Sequence, residues 1–190
     1  MQEQRHHGRS SAPAEIRRHI ELLRWADMPL VLQFLSGGSA HLPSLKGWMD
    51  RVFVYGGVYD SRHRHENGVM RGKRALLTVT AGASAQACAP DGRDGDMRLM
   101  LWPIMHALHY IGFSVLEPFW SMACAAGWRA RAAGAERCFG AGDAGVSGRL
   151  KRSCRPPAVP FNRNDDFDAD LALKPGAPVY SPFVRHRDPV

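Results

Sequence analysis

His106 and His109 stand three residues apart in a run of helical period, which places two imidazoles as near neighbours on one helix face, where a metal ion could bridge them. No third ligand lies near them in sequence and they flank an apolar stripe, so the spacing predicts partly buried core histidines and no metal site. Asp166, Asp168 and Asp170 alternate as the first ligands of a calcium loop do, but the sixth position is Leu171 and the twelfth Ala177, where that loop needs Gly and Glu. A solvated acidic turn is expected there. "GAGDAG" at 140–145 matches G-x-G-x-x-G by letter, yet no strand pattern precedes it and no helical period follows, so it is set aside as a dinucleotide motif. The four cysteines, Cys88, Cys124, Cys138 and Cys154, form no CxxC pair, and reduced thiols are expected. Trp48 and Trp102 sit on apolar helical faces and are assigned to packing.

The elements that must position these groups alternate. "APAEIRRHIELLRWAD" puts Ile16, Ile20 and Leu23 on one face of a helix ending near Asp27. "MPLVLQF" (28–34) and "RALLTVTAGA" (74–83) are short β-prone runs that stop at small residues, as strands buried on both faces of a parallel sheet do. "LPSLKGWMDRVF" supplies a helix between them. "DMRLMLWPIMHALHYIG", with Met97, Met100, Leu101, Ile104, Leu108 and Ile111 as its stripe, supplies another before a third run, "FSVLEPFW" (113–120). Strand and helix alternation predicts an α/β fold with a mostly parallel sheet. In such sheets ligands sit beyond the carboxyl ends of the strands, so the "FLSGG" and "TAGAS" loops are where chemistry is expected.

A chain of 190 residues, 45% hydrophobic with five Trp and eight Phe, suffices for one core. Residues 1–13 read as a disordered terminus and 14–122 as the folded domain. Residues 123–157 are irregular and dominated by Ala, Gly and Arg, and 158–190 form an extended arm rich in Pro and Asp. The composition break at 123–155, and in smaller measure 35–44, is what a shifted reading frame in a GC-rich gene would give. No apolar run reaches membrane-spanning length and no signal peptide is read, so a cytoplasmic location is expected. The net charge of +7 permits contact with nucleic acid, but the Arg-rich stretch 129–155 lacks interleaved aromatics and that role is set aside.

"LRWAD", "LQF", "LKGWMDRVF" followed by "YGGVY", "GVMRGKRALLTVTAGA", "PDGRDGDMRLMLWPI" and "GFSVLEPF" run in this order through residues 15–121. Together they resemble the NAD(P)H:quinone oxidoreductases of the flavodoxin-like fold, the DT-diaphorase type and its bacterial relatives. The resemblance implies a three-layer flavodoxin-like fold whose first two strands would precede residue 15 and are lacking here. It implies a homodimeric flavoprotein with FAD or FMN as cofactor and NAD(P)H as co-substrate, moving a hydride through the flavin to a quinone, with active sites at the subunit interface. The alternative is a non-catalytic remnant or regulatory subunit of the same fold, of the potassium-efflux ancillary type.

Carried over by position, Thr80, Ala81, Gly82 and Ala83 match the flavin-contacting loop, and Tyr59 falls on an aromatic of the substrate pocket. Arg62 and Arg64, in "SRHRHEN", are candidates for the NADPH phosphate, with plain solvation as the alternative. The departures are equally specific. Ala81 and Ala83 replace the more usual Thr and Gly, Cys88 stands where the family has Tyr, and Asp94 stands where some members have His. "LSGGSAHLPS" brings no aromatic ring to the flavin position. No residue is assigned as catalytic.

Overall fold

The computed structural model of the chain describes residues 12–26, 30–36, 43–122 and 156–187. The irregular segment 123–155, with "GAGDAG", Cys124, Cys138 and Cys154, and the "GGSAHL" stretch lie outside the described residues.

The centre of the molecule is strand β2, Arg74–Ala81, in which all residues from Ala75 to Val79 and Ala81 are buried. Burial on both faces is what its unbroken apolar character demands. Strand β1, Leu30–Ser36, runs parallel along one side of it, in register from Leu30↔Ala75 to Ser36↔Ala81. The other side is taken by β3, Ser114–Val115, and then by β4, Phe119–Met122, both parallel to β2. The third run expected as one strand is therefore two pieces of one path. Pro118, with no N–H to donate, lies at the break.

Among the described residues, three α-helices cover the sheet. Helix α1, Ala14–Trp25, buries Ile20 and Leu23, ending two residues before the expected limit. Helix α2, Pro43–Val52, opens on the proline and buries Met49 and Val52. Helix α3, Met97–Tyr110, is capped by Asp96, whose carboxylate accepts from the backbone N–H groups of Arg98 at 2.8 Å and Leu99 at 3.4 Å. Its buried residues are Met97, Leu101, Trp102, Ile104, Met105 and Leu108, so Met105 takes the place on the stripe that the sequence pattern gives to Met100, which is 45% exposed. Trp102 packs in the core and Trp48 against it, the latter edge-on to Phe53 at 5.7 Å, as their apolar helix faces predict.

Two connections fix how α3 returns to the sheet. Gly112, at φ +106°, donates to the carbonyl of His109 and ends the helix in a backbone conformation that side chains disfavour. Gly68 passes so close that a Cβ on it would lie 2.5 Å from the backbone of Gly112. The arm, 156–187, then closes the far edge of the sheet. Val159 donates to Val115 at 2.8 Å, Leu116 and Ala158 form an antiparallel bridge, and Val159, Leu173 and Ser181 are buried.

Candidate functional site

The carboxyl ends of the strands finish level, with Ser36, Ala81 and Met122 in register across the sheet. Directly beyond them the chain runs through Gly82 and Ala83 into a tight loop that reaches α3. Ser84 organises the turn, its hydroxyl accepting from Ala87 N–H at 3.2 Å and its carbonyl from Cys88 at 3.3 Å. Gly92 presses against this turn, since a Cβ there would meet the carbonyl oxygens of Gln86 and Ala87 at 2.3 and 2.4 Å. Among the described residues, the N–H groups of Ala83, Ser84, Ala85 and Gln86 find no backbone acceptor. Among the described residues nothing lies within 4 Å of a Cβ built at Gly82. The strand end therefore presents backbone donors and open space together, which suits the polar edge of a planar ligand.

Thr80, Ala81, Gly82 and Ala83 are thus brought to one place, the Thr80 side chain half-buried and Gly82 exposed. Cys88 is a buried free thiol behind the loop, consistent with packing. Asp94 pairs with Arg93 at 3.1 Å on the loop's outer face.

Tyr59 lies elsewhere. It is half-buried, edge-on to Tyr110 at 5.3 Å and to Tyr55 at 5.9 Å, and its phenol is held above its ordinary pKa, first by burial and then by Tyr110. Tyr110 ends α3 just before Ser114, which pairs with Arg74 at the start of β2. Tyr59 is therefore near the amino end of β2 and Thr80–Ala83 at its carboxyl end, separated by roughly 20 Å of strand.

Arg62 and Arg64 are exposed on a loop tied by Asp60, which accepts from the backbone N–H groups of Arg62 and His63 and from the His63 ring. That imidazole, followed by the two backbone donors, holds the Asp60 carboxyl at about 2. Asp166 and Asp168 are turn-makers: Asp166 accepts from Arg163 N–H, and Asp168 from the N–H groups of Asp170 and Ala172.

Sequence spacing missed one constellation. His65, from the loop before β2, reaches His109 with ring centroids 5.4 Å apart and His106 at 6.2 Å. The third imidazole absent from the local sequence is supplied from about forty residues upstream, a separation no period reveals. Phe161 of the arm stacks flat on His109, at 4.3 Å and 6°. Burial depresses all three imidazoles below the ordinary range, His109 to about 4, with His65 and His106 adding repulsion there. Among the described residues no group of three His, Cys, Asp or Glu is placed to hold a metal ion, and no helix is long and apolar enough to cross a membrane.

A parallel sheet with helices, a loop beyond its carboxyl end and the α3 return define an α/β protein of the doubly wound class. Residues 2–138 match a family model whose description is a flavodoxin-like fold, and the chain belongs to that family. The curated proteins it is similar to include dehydrogenases whose names specify quinone. It is 47% identical over 75 residues to the ribosyldihydronicotinamide dehydrogenase [quinone] of Mus musculus, covering 39% of this chain and 32% of that one. To the NAD(P)H dehydrogenase [quinone] 1 of Cavia porcellus it is 43% identical over 75 residues, covering 27% of that protein. The chain spans about a third of the length of the curated relatives it matches.

Among solved structures, a Klebsiella pneumoniae protein assigned as a quinone reductase superposes with a TM-score of 0.67 at 32% identity, over 86% of this chain and 64% of that one. General stress protein 14 of Treponema denticola, solved in complex with FMN, superposes at 0.50 with 27% identity, over 57% of this chain and 60% of that one.

Proposed function

We propose that the chain is a flavin-dependent reductase of quinones, using NAD(P)H as the hydride source. The observation that carries this is the strand-end loop 82–86, where the N–H groups of Ala83 to Gln86 have no backbone acceptor, and a Cβ on Gly82 no neighbour, among the described residues, at the end of the sheet where a doubly wound fold binds its ligand. The residues fit a flavin edge. Thr80 and the N–H groups beyond Gly82 would hold the ring's polar edge, and Gly82 allows the ring to approach the backbone closely. A bound FAD or FMN would accept a hydride from the nicotinamide and pass it to the quinone. The protein's own part is to donate hydrogen bonds where charge builds on the ring, and to keep water from the face where the acceptor lies.

The position of Tyr59 extends the reading to a homodimer. It lies far along β2 from the loop, with the exposed Tyr55 beside it, so the tyrosines would complete the site on a partner copy rather than their own.

The test is titration of the full chain with FMN and with FAD, following Trp fluorescence and melting temperature, on wild type and Gly82→Val. Among the described residues nothing stands within 4 Å of the Cβ this substitution adds, and the variant's own melting curve without flavin checks that it folds. The expected result is quenching and a raised melting temperature for wild type, with at least about tenfold weaker binding in the variant. Equal binding by both proteins would move the flavin away from this loop, and no binding by wild type would sink the proposal.

A further inference from the structure

We propose that His65, His106 and His109 form a proton-operated latch that holds the C-terminal arm on α3 while the three imidazoles are neutral and releases it as they become charged.

The cluster is assembled from separate pieces of chain. His65 comes from the loop before β2, held at φ +51°, a left-handed conformation that a side chain adopts only when its surroundings impose it. His106 and His109 come from one face of α3, and the rings of all three lie within 6.4 Å of one another. The arm closes the top. Phe161 stacks on His109 and lies 6.5 Å from His106, while Asn164 N–H donates to Glu66 Oε1 at 2.9 Å. The residues beside the histidines on the loop are therefore the arm's anchor as well.

His109 is the group through which a proton acts. Its Nε2 is buried and has no hydrogen-bond partner among the described residues, while the Asn162 backbone favours a proton on the ring. A neutral ring can leave Nε2 as a bare lone pair against an apolar face. Protonation would put an N–H there with no acceptor beneath Phe161, and a positive charge beside two more imidazoles.

The groups facing the cluster are few. From the loop, Arg64 opposes the charging of His65, while Glu66 favours charge on His65 and His109. From α3 comes Tyr110, edge-on to His65 at 5.1 Å. The arm contributes Phe161 and the Asn162 backbone, and no charged arm side chain is among the groups acting on the three rings. At His109 burial and the two neighbouring imidazoles outweigh Glu66 and the Asn162 backbone, which favour charge, because the ring is depressed on balance. When the arm lifts, the His109 ring beneath Phe161 is hydrated and returns toward 6.5, so the open form binds more protons. The closed arm is thus at full strength above pH 6.5 and weakens as pH falls toward about 4.

Backbone amide exchange on the full chain, read by mass spectrometry and corrected for the intrinsic effect of pH, tests this. Between about pH 7.5 and about pH 5.5, opening of residues 157–167 should rise by up to about tenfold from His109 alone. Helix α1 should be unaffected over the same range. In His65→Asn/His109→Gln, where Asn tolerates the left-handed backbone, the rise should fall below about twofold. An arm whose protection does not change with pH overturns the latch, as does equal loosening of α1, or a full response in the double variant. Should that variant not fold, the wild-type comparison of arm with α1 decides alone.

Discussion

At the scale of single residues, two glycines of opposite consequence show what the backbone requires. Gly68 and Gly112 cross with no room for a methyl group, and Gly112 is at positive φ. Gly68→Ala should lower stability by roughly 3 kcal/mol, since backbone cannot yield as a side chain can. Gly47, inside α2, has open space where a Cβ would stand, with nothing within 4 Å. Gly47→Ala should therefore raise stability, by about 0.5–1 kcal/mol, through the unfolded chain's lost freedom. Urea denaturation of both variants checks the pair, and a shift of the same sign in both would refute the crossing argument. Neither outcome is visible in the letters, because a glycine in "ENGVM" and one in "LKGWM" look alike until the fold places a second backbone beside the first.

At the scale of elements, α3 carries the most structure per residue. Its first turn depends on Asp96, which satisfies two N–H groups that no helical carbonyl can reach. Asp96→Ala should cost about 1 kcal/mol, with exchange protection lost first in the turn following the cap. An unchanged thermal midpoint would show that Arg98, paired with Glu117 at 2.8 Å, holds the helix start by itself.

The sequence made α3, α1 and both long strands legible, since apolar period and abrupt small-residue ends report burial directly. It misjudged Met100 and Met105, which lie near the two borders of the stripe, where a few degrees of helix rotation decide which one is buried. The TVTAGA loop was legible by its place after β2. The histidine cluster was not, because it depends on a loop folding back across the end of a helix. Nor was the separation of Tyr59 from Thr80 along β2, because similar motifs align residues without giving the distances between them.

At the scale of the molecule, the two edges of the sheet are unlike. The β3 side is closed by the arm, through Val159 and the Leu116–Ala158 bridge. The outer side of β1 pairs with no strand among the described residues. A seven-residue strand with one ladder of N–H and C=O groups unpaired among the described residues is a template for another strand, and nothing in "LVLQFLS" carries the charge or proline that discourages pairing. Exposed Trp25, Leu22 and Tyr55 add apolar surface that a solitary copy would leave in water. Self-association is therefore expected, and sedimentation velocity over about a hundredfold range of concentration should show mass rising with concentration. The form it takes separates two causes. Edge pairing is open-ended and should continue past the dimer, whereas a dimer completed by Tyr59 of a second copy is closed and should stop at two, tightening when flavin is added. A single monomeric species throughout would remove both, and with them the composite site.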